Sequence, residues 1–493
     1  MSQPIPLTSL ASLRLMLRRG QLSDVEAQCR QWLNKPPVAE EMCGILFRLL
    51  HQQRRFSELL ELSQQLTSHQ PELLIAWQAQ LKCLRQLQRH AEAISINKQL
   101  LQRFADVADL WLLQGILLKD SGQLDAALAH LQRAIQLQPN LYEAYWLRAD
   151  LLKSPTDADI RDMQQQLASC QNDTAAAPLH YALASALERQ QQFADSFTQL
   201  QRGAAAKKRT LHYNHQQELE EYRALMQTFP EPGQLSQAAN GSTPVFICGL
   251  PRSGTTLVEQ ILSSHHDVTA GDELFELAQA TAKTLSEQQN ALRFPHWTTQ
   301  LNSQQWQQLG ERYLQLTSRL QQSRYFTDKM PLNYKAIGII RAALPQAKII
   351  YCQRHPLDTL LSCFKHLFGE GIAFSYDLDH LADIFIAQQQ LMTHWLKRYP
   401  EHIYVVTYET LVMQQRQQTE QLLAFLDLPW SEHCIQFHTN QRAVYTVSNS
   451  QVRQPLFSSS IGSWQRYQQQ LQPLIQRLQP YVEQYQAMLC SKN

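Results

Sequence analysis

The chain has 493 residues, 44% of them hydrophobic and 18% charged, with 44 Lys and Arg against 43 Asp and Glu for a formal net charge of +1. That is material for about three domain-sized cores; the charge balance excludes a surface that grips nucleic acid throughout by counterion release. Nine Cys without a CxxC pair argue against a disulfide scaffold or a structural zinc module. No run of 18 apolar residues occurs, and MSQPIPLTSLASLRLMLRRG lacks an apolar stretch ending in a small-residue cleavage site. The expectation is a soluble, cytoplasmic protein with no membrane span and no nucleic-acid partner.

Along the chain, repeats come first. Trp77, Trp111 and Trp146 lie 34 and 35 residues apart, and Cys43 precedes Trp77 by 34. From Trp111, Gly115 and Leu118 fall on one predicted helix and Gly122 suits the turn. Ala127, Leu131 and Ala134 follow on a second helix, and Pro139 closes the unit. A looser unit keeps Trp77, Leu84 and Ala93, and a further pair covers His180–Ala184 and Phe193–Gly203. The period and the small residues resemble the tetratricopeptide-repeat (TPR) family over about residues 30–205. The resemblance implies an α-solenoid over 1–228 whose groove holds a protein or peptide partner. Pro230, Pro232 and Gly233 then mark a linker, 229–242, before a second domain, 243–493.

Residues 244–261 read PVFICGLPRSGTTLVEQI. Val245–Cys248 is a short apolar run of strand formers, Gly249–Gly254 a turn, and Thr255-Thr256 the opening of an amphipathic helix. Backbone N–H groups and a helix dipole converge there, which makes an anion cradle. The spacing approaches the nucleotide P-loop, but Thr255 stands where that motif has Lys, and the cation is Arg252 inside the loop. A P-loop kinase is therefore disfavoured. PRSGTT after an apolar strand resembles the 5′-phosphosulfate loop of sulfotransferases that use 3′-phosphoadenosine 5′-phosphosulfate (PAPS). Its Arg is similar to that of the tyrosylprotein sulfotransferase branch. The resemblance implies that Arg252, Ser253, Gly254, Thr255 and Thr256 hold the phosphosulfate end.

A second predicted strand, Lys348–Cys352, ends just before Arg354; Pro356 fits a helical first turn and Ser362 lies two helical turns on. An Arg at a strand end grips phosphate bidentately, and a Ser adds a hydroxyl donor. The order and spacing resemble the same family's 3′-phosphate site. A third stretch, Gln451–Pro455 then Ser460–Trp464, is similar to the late loop that closes over the nucleotide in bacterial TPR-containing sulfotransferases. Arg453 is expected on the 3′-phosphate side, and Ser448 resembles the family's serine near the transferring group.

Sulfuryl transfer needs a base for the acceptor hydroxyl and cations at the transferring group. The 21-residue spacing from Arg252 to Glu273 resembles that between the loop Arg and the catalytic Glu of the tyrosylprotein branch, which implies Glu273 as the base. Adjacent Asp272 is the alternative, and since neighbours on a strand point opposite ways only one is expected to face the site. Lys329, in FTDKMP, matches the family's lysine at the bridging oxygen and is the second expected cation. No metal is expected: His433, Cys434 and His438 lack a fourth ligand, and His265-His266 are expected as imidazolium at the first helix end. The fold expected is α plus α/β: a TPR-like solenoid, then a P-loop-like domain whose parallel sheet is flanked by helices. The resemblance implies a PAPS-dependent sulfotransferase with tyrosine the favoured acceptor. The rival reading is a non-catalytic TPR scaffold with a vestigial nucleotide pocket.

Overall fold

The computed structural model describes residues 7–33, 40–87, 89–229, 241–288, 292–369, 371–440, 442, 452–456 and 458–492. After helices Leu7–Arg18 and Leu22–Leu33 come three helical hairpins: Glu40–Gln52 with Phe56–His69, Leu74–Gln86 with His90–Arg103, and Ala108–Asp120 with Leu124–Leu137. Their first helices begin at 40, 74 and 108, and Tyr142–Leu151 opens the next, an interval of 34 throughout. The first helices that begin at 74 and 108 each carry a half-buried Trp for two reasons. The ring packs within the hairpin stack, and its N–H reaches back to a carbonyl six residues earlier: Trp77 to Pro71 at 2.9 Å and Trp111 to Ala105 at 2.9 Å. Gly115 lets the paired helices touch, since a Cβ there would lie 2.8 Å from the Leu131 side chain. Gly122 turns the chain at φ +81°.

The chain divides into two compact units, Met1–Ala144 and Tyr145–Asn493. The first is built around Leu46, Leu60, Ala76, Leu84 and Ala93, all buried. The expected linker, 229–242, lies inside the second unit; residues 230–240 of it are outside the described residues.

In the second unit, β1 (Thr243–Gly249), β2 (Val268–Thr269), β3 (Tyr325–Asp328), β4 (Lys348–Gln353) and β5 (Ile403–Thr407) form one sheet in the order β2-β3-β1-β4-β5. Every pairing is parallel, with Gly249 opposite Cys352 at the end of β1. Side-chain alternation sorts the strands onto two cores. Phe246, Cys248, Phe326, Ile349 and Tyr351 face one core, Val245, Ile247, Tyr325, Ile350 and Cys352 the other. Helices Thr255–Leu262 and Gln415–Phe425 cover the second core; Ser303–Leu316, Pro356–Phe364 and Leu378–Arg398 cover the first. The hairpin Asp173–Arg189 and Phe193–Arg209, with helix His215–Thr228, shares that first core through Tyr181, Phe197, Leu200, Tyr222 and Leu225. The Tyr222 and Tyr334 hydroxyls meet at 2.6 Å, and Phe229 packs edge-on to Trp395 with ring centres 5.5 Å apart.

Candidate functional site

Open parallel sheets bind ligands beyond the carboxyl ends of their strands, where the strand order reverses. Here the reversal lies between β1 and β4, and the segments leaving four adjacent strands carry the expected residues: Glu273 after β2, Lys329 after β3, Arg252 after β1 and Arg354 after β4.

The loop after β1 has a conformation that its residue types dictate. Gly249 has φ +154°, and a Cβ would meet the Cys352 carbonyl at 2.3 Å. Gly254, at φ +102°, lies against the Tyr408 ring, 2.8 Å from where a Cβ would stand. Between them Arg252 takes φ +70°, and the Ser253 N–H closes the turn on the Leu250 carbonyl at 3.1 Å. Thr255 and Thr256 open the following helix, both buried, behind a glycine N-cap at Gly254.

Two guanidinium groups converge at this loop. Arg252 Nε donates to Ser362 Oγ at 2.9 Å, bringing together two residues expected at opposite phosphates of the donor. Arg354, 8% exposed, donates from Nη1 to the Arg252 carbonyl at 3.2 Å and from Nη2 to the Ser460 carbonyl at 2.6 Å. Its guanidinium carbon lies 4.8 Å over the Tyr408 ring. Burial first, then the like charge of Arg354, pushes the Arg252 pKa down. Ser253 Oγ and Arg354 Nε are buried without a hydrogen-bond partner among the described residues. A bound anion would relieve the repulsion and satisfy both atoms, so the cradle fits a phosphate-bearing ligand.

The second cluster explains which acidic residue faces outward. Asp272 is buried at φ +57°, its N–H donating to Glu259 Oε1 at 3.0 Å. Arg442 clamps both acids, Nη1 to Asp272 at 2.9 Å and Nη2 to Glu259 at 3.0 Å, while its Nε reaches Gln260 at 2.9 Å. Glu273 is turned the other way, its side chain 40% exposed, and accepts from the fully buried Lys329 Nζ at 2.8 Å. Burial pulls the Lys329 pKa down, but Glu273, Glu259 and Asp272 outweigh it and the net shift is upward, so the ammonium persists. Asp272 is pushed up to about 7 by burial and by Glu259, against the pull of Arg442.

Thus Arg252, Arg354 and Ser362 form one group, and Glu273 and Lys329 another. Arg453 is placed against the Arg442 backbone, Nη2 to the carbonyl at 3.0 Å. Ser448 lies outside the described residues. Of the two histidines expected as imidazolium, His265 needs correction. His265 Nδ1 accepts from the Asp267 N–H at 3.1 Å, so that nitrogen carries no proton, and Nε2 donates to the Pro429 carbonyl at 3.0 Å. Burial lowers its pKa; the ring is neutral, a turn-forming group rather than an imidazolium. Sequence reasoning missed Glu259, Arg442 and Asp358. A signal existed for Glu259, an acid within the apolar run Leu257-Val258-Ile261-Leu262. None existed for Arg442, whose partners lie some 170 positions away in the chain.

These elements make an open parallel α/β domain with a glycine loop whose donors fit a phosphate-bearing ligand, preceded by TPR-type helices. Residues 244–432 match the model of the sulfotransferase family, and residues 115–154 match that of the TPR repeat. The second unit therefore contains a sulfotransferase domain, and the helical region before it contains a TPR repeat. An uncharacterised protein of Aquifex aeolicus (strain VF5) is 30% identical over 266 residues, 51% of this chain and 35% of that one. Protein-tyrosine sulfotransferase 1 of Danio rerio is 25% identical over 198 residues, 38% of this chain and 54% of that one. The chain thus spans between a third and about half of these relatives' length. Among solved structures, the sulfotransferase domain of the Synechococcus PCC 7002 olefin synthase is 18% identical. The match covers 47% of this chain and 91% of that one, with a TM-score of 0.35. Among the described residues, no helix is long and apolar enough to cross a membrane.

Proposed function

We propose that the chain is a PAPS-dependent sulfotransferase that moves a sulfuryl group to an acceptor hydroxyl, with a protein or peptide tyrosine the favoured acceptor. The observation that carries this reading is the row of four strand ends bearing Glu273, Lys329, Arg252 and Arg354, with Ser253 Oγ and Arg354 Nε buried and awaiting an acceptor atom. Similarity to a relative named for tyrosine sulfation supports the choice of acceptor.

In this reading the loop N–H groups, Ser253 and Thr255-Thr256 hold the 5′-phosphosulfate, and Arg354 with Ser362 the 3′-phosphate. PAPS is the donor, and its sulfuryl–phosphate bond breaks as the acceptor oxygen attacks sulfur. Glu273, exposed beside Lys329, takes the proton of the attacking hydroxyl. Lys329 and Arg252 are fixed cations facing charge that grows on the leaving phosphate, positioned before reaction rather than recruited during it. The repeats hold the acceptor-bearing protein, and no metal takes part.

Calorimetric titration with adenosine 3′,5′-bisphosphate tests the reading. Wild type should bind, and Arg354→Ala should weaken binding at least tenfold, about 1.4 kcal/mol. No binding by either protein, with the fold intact by circular dichroism, would overturn it. A tyrosine peptide incubated with labelled PAPS then tests the acceptor.

A further inference from the structure

Asp358 is not part of the cradle, yet it governs a segment that is. It lies in the first turn of helix Pro356–Phe364, 1% exposed. Its carboxylate accepts three hydrogen bonds from one loop: Gly462 N–H at 2.7 Å, Ser463 Oγ at 2.8 Å and Trp464 N–H at 2.9 Å. The loop is shaped to deliver them, since Gly462 turns at φ +72° and the Ile461 N–H closes on the Ser458 carbonyl at 2.9 Å. Trp464 stacks on His355 with planes 5° apart and ring centres at 5.7 Å. Two residues before the clamp, the Ser460 carbonyl receives Arg354 Nη2 at 2.6 Å, and its hydroxyl meets the Tyr408 hydroxyl at 2.9 Å.

The consequence falls on Arg354. Its Nη groups are spent on the carbonyls of Arg252 and Ser460, and Nε is left buried without a partner among the described residues. A guanidinium released from Ser460 could rotate, and Arg252 is a like charge that would drive it away. Three hydrogen bonds to a buried carboxylate are what fix the loop that fixes Arg354.

We infer that Asp358 is a positioning residue for nucleotide specificity: by clamping Gly462–Trp464 it orients Arg354 so that the site distinguishes a nucleoside 3′,5′-bisphosphate from a 5′-phosphate. This rests on the donor reading above.

The test is titration of the full chain with adenosine 3′,5′-bisphosphate and with adenosine 5′-phosphate, for wild type, Asp358→Ala and the isosteric Asp358→Asn. Wild type should prefer the bisphosphate. Both variants should lose about tenfold or more of that preference, with affinity for the 5′-phosphate within about twofold of wild type. If Asp358→Ala fails to fold, Asp358→Asn decides, because it keeps the volume and loses one acceptor. An unchanged preference, or equal weakening of both nucleotides as a purely structural residue would give, overturns the inference while leaving the donor reading standing. Wild type that binds neither nucleotide overturns the donor reading and this inference with it.

Discussion

Asp272 and Glu273 are neighbours with opposite duties, and their environments assign them. Glu273 keeps an open face beside Lys329, so Glu273→Gln should reduce turnover about 100-fold or more, the range of a lost general base. The affinity for adenosine 3′,5′-bisphosphate should stay within about twofold; a parallel loss of both would show that Glu273 holds the nucleotide instead. Asp272 is buried with Glu259, and its folded pKa of about 7 lies above its unfolded value. The folded chain therefore binds the extra proton between those values. The stability this contributes is fully present below the unfolded value and is lost as pH rises through the folded one. Asn at 272 has no such proton, so the stability of wild type relative to Asp272→Asn should fall between about pH 4 and 7. Urea titrations of both proteins across that range measure it, and a pH-independent difference would refute the assignment. At Gly249 the argument is steric. The register pairs it with Cys352, whose carbonyl would lie 2.3 Å from a new Cβ, so neither strand end can yield without breaking the ladder. Gly249→Ala should abolish nucleotide binding and lower the melting temperature.

At the scale of elements, the TPR hairpins test how small residues set helix contacts. Gly115→Ala improves helix propensity by about 1 kcal/mol but drives a methyl against the fully buried Leu131. Overpacking of that kind costs about 1–3 kcal/mol, so the net should be destabilising by denaturant titration. A stabilised variant would mean the helices can part freely. Gly115 and the spaced tryptophans were legible in the sequence because a repeat writes the same contact several times at one interval. The strands and cradle were legible for a related reason: strand, turn and helix start are contiguous, so PVFICGLPRSGTT carries its own geometry. So was the placement of Arg354, beyond an apolar run and before a Pro that starts a helix. What the sequence hid are partners joined only by folding. Asp358 and Gly462 are 104 positions apart, and Arg442 and Glu259 are 183 apart. The neutral state of His265 was hidden likewise, since it depends on a carbonyl at Pro429.

For the molecule as a whole, composition shift and compact packing divide the chain differently, and the difference has a measurable consequence. Prolines near 230 mark where sequence character changes, yet the helices just before them share the core of the sheet domain. Tyr181, Leu200, Tyr222, Leu225 and Phe229 are all buried there with Phe246, Tyr334 and Trp395. Baring five such side chains forfeits about 1.5–3 kcal/mol each. That sum is comparable to the whole stability of a typical domain, about 5–15 kcal/mol. A fragment of residues 145–493 should therefore fold cooperatively and bind adenosine 3′,5′-bisphosphate. A fragment of 243–493, which keeps every cradle residue, should aggregate or melt without cooperativity and bind the dye ANS. Circular dichroism melts of the two fragments decide the matter. If 243–493 melted at the same temperature as 145–493, helices 173–228 would be an attachment rather than a wall of the core. Their buried tyrosine pair, 222 and 334, would then lack a structural purpose.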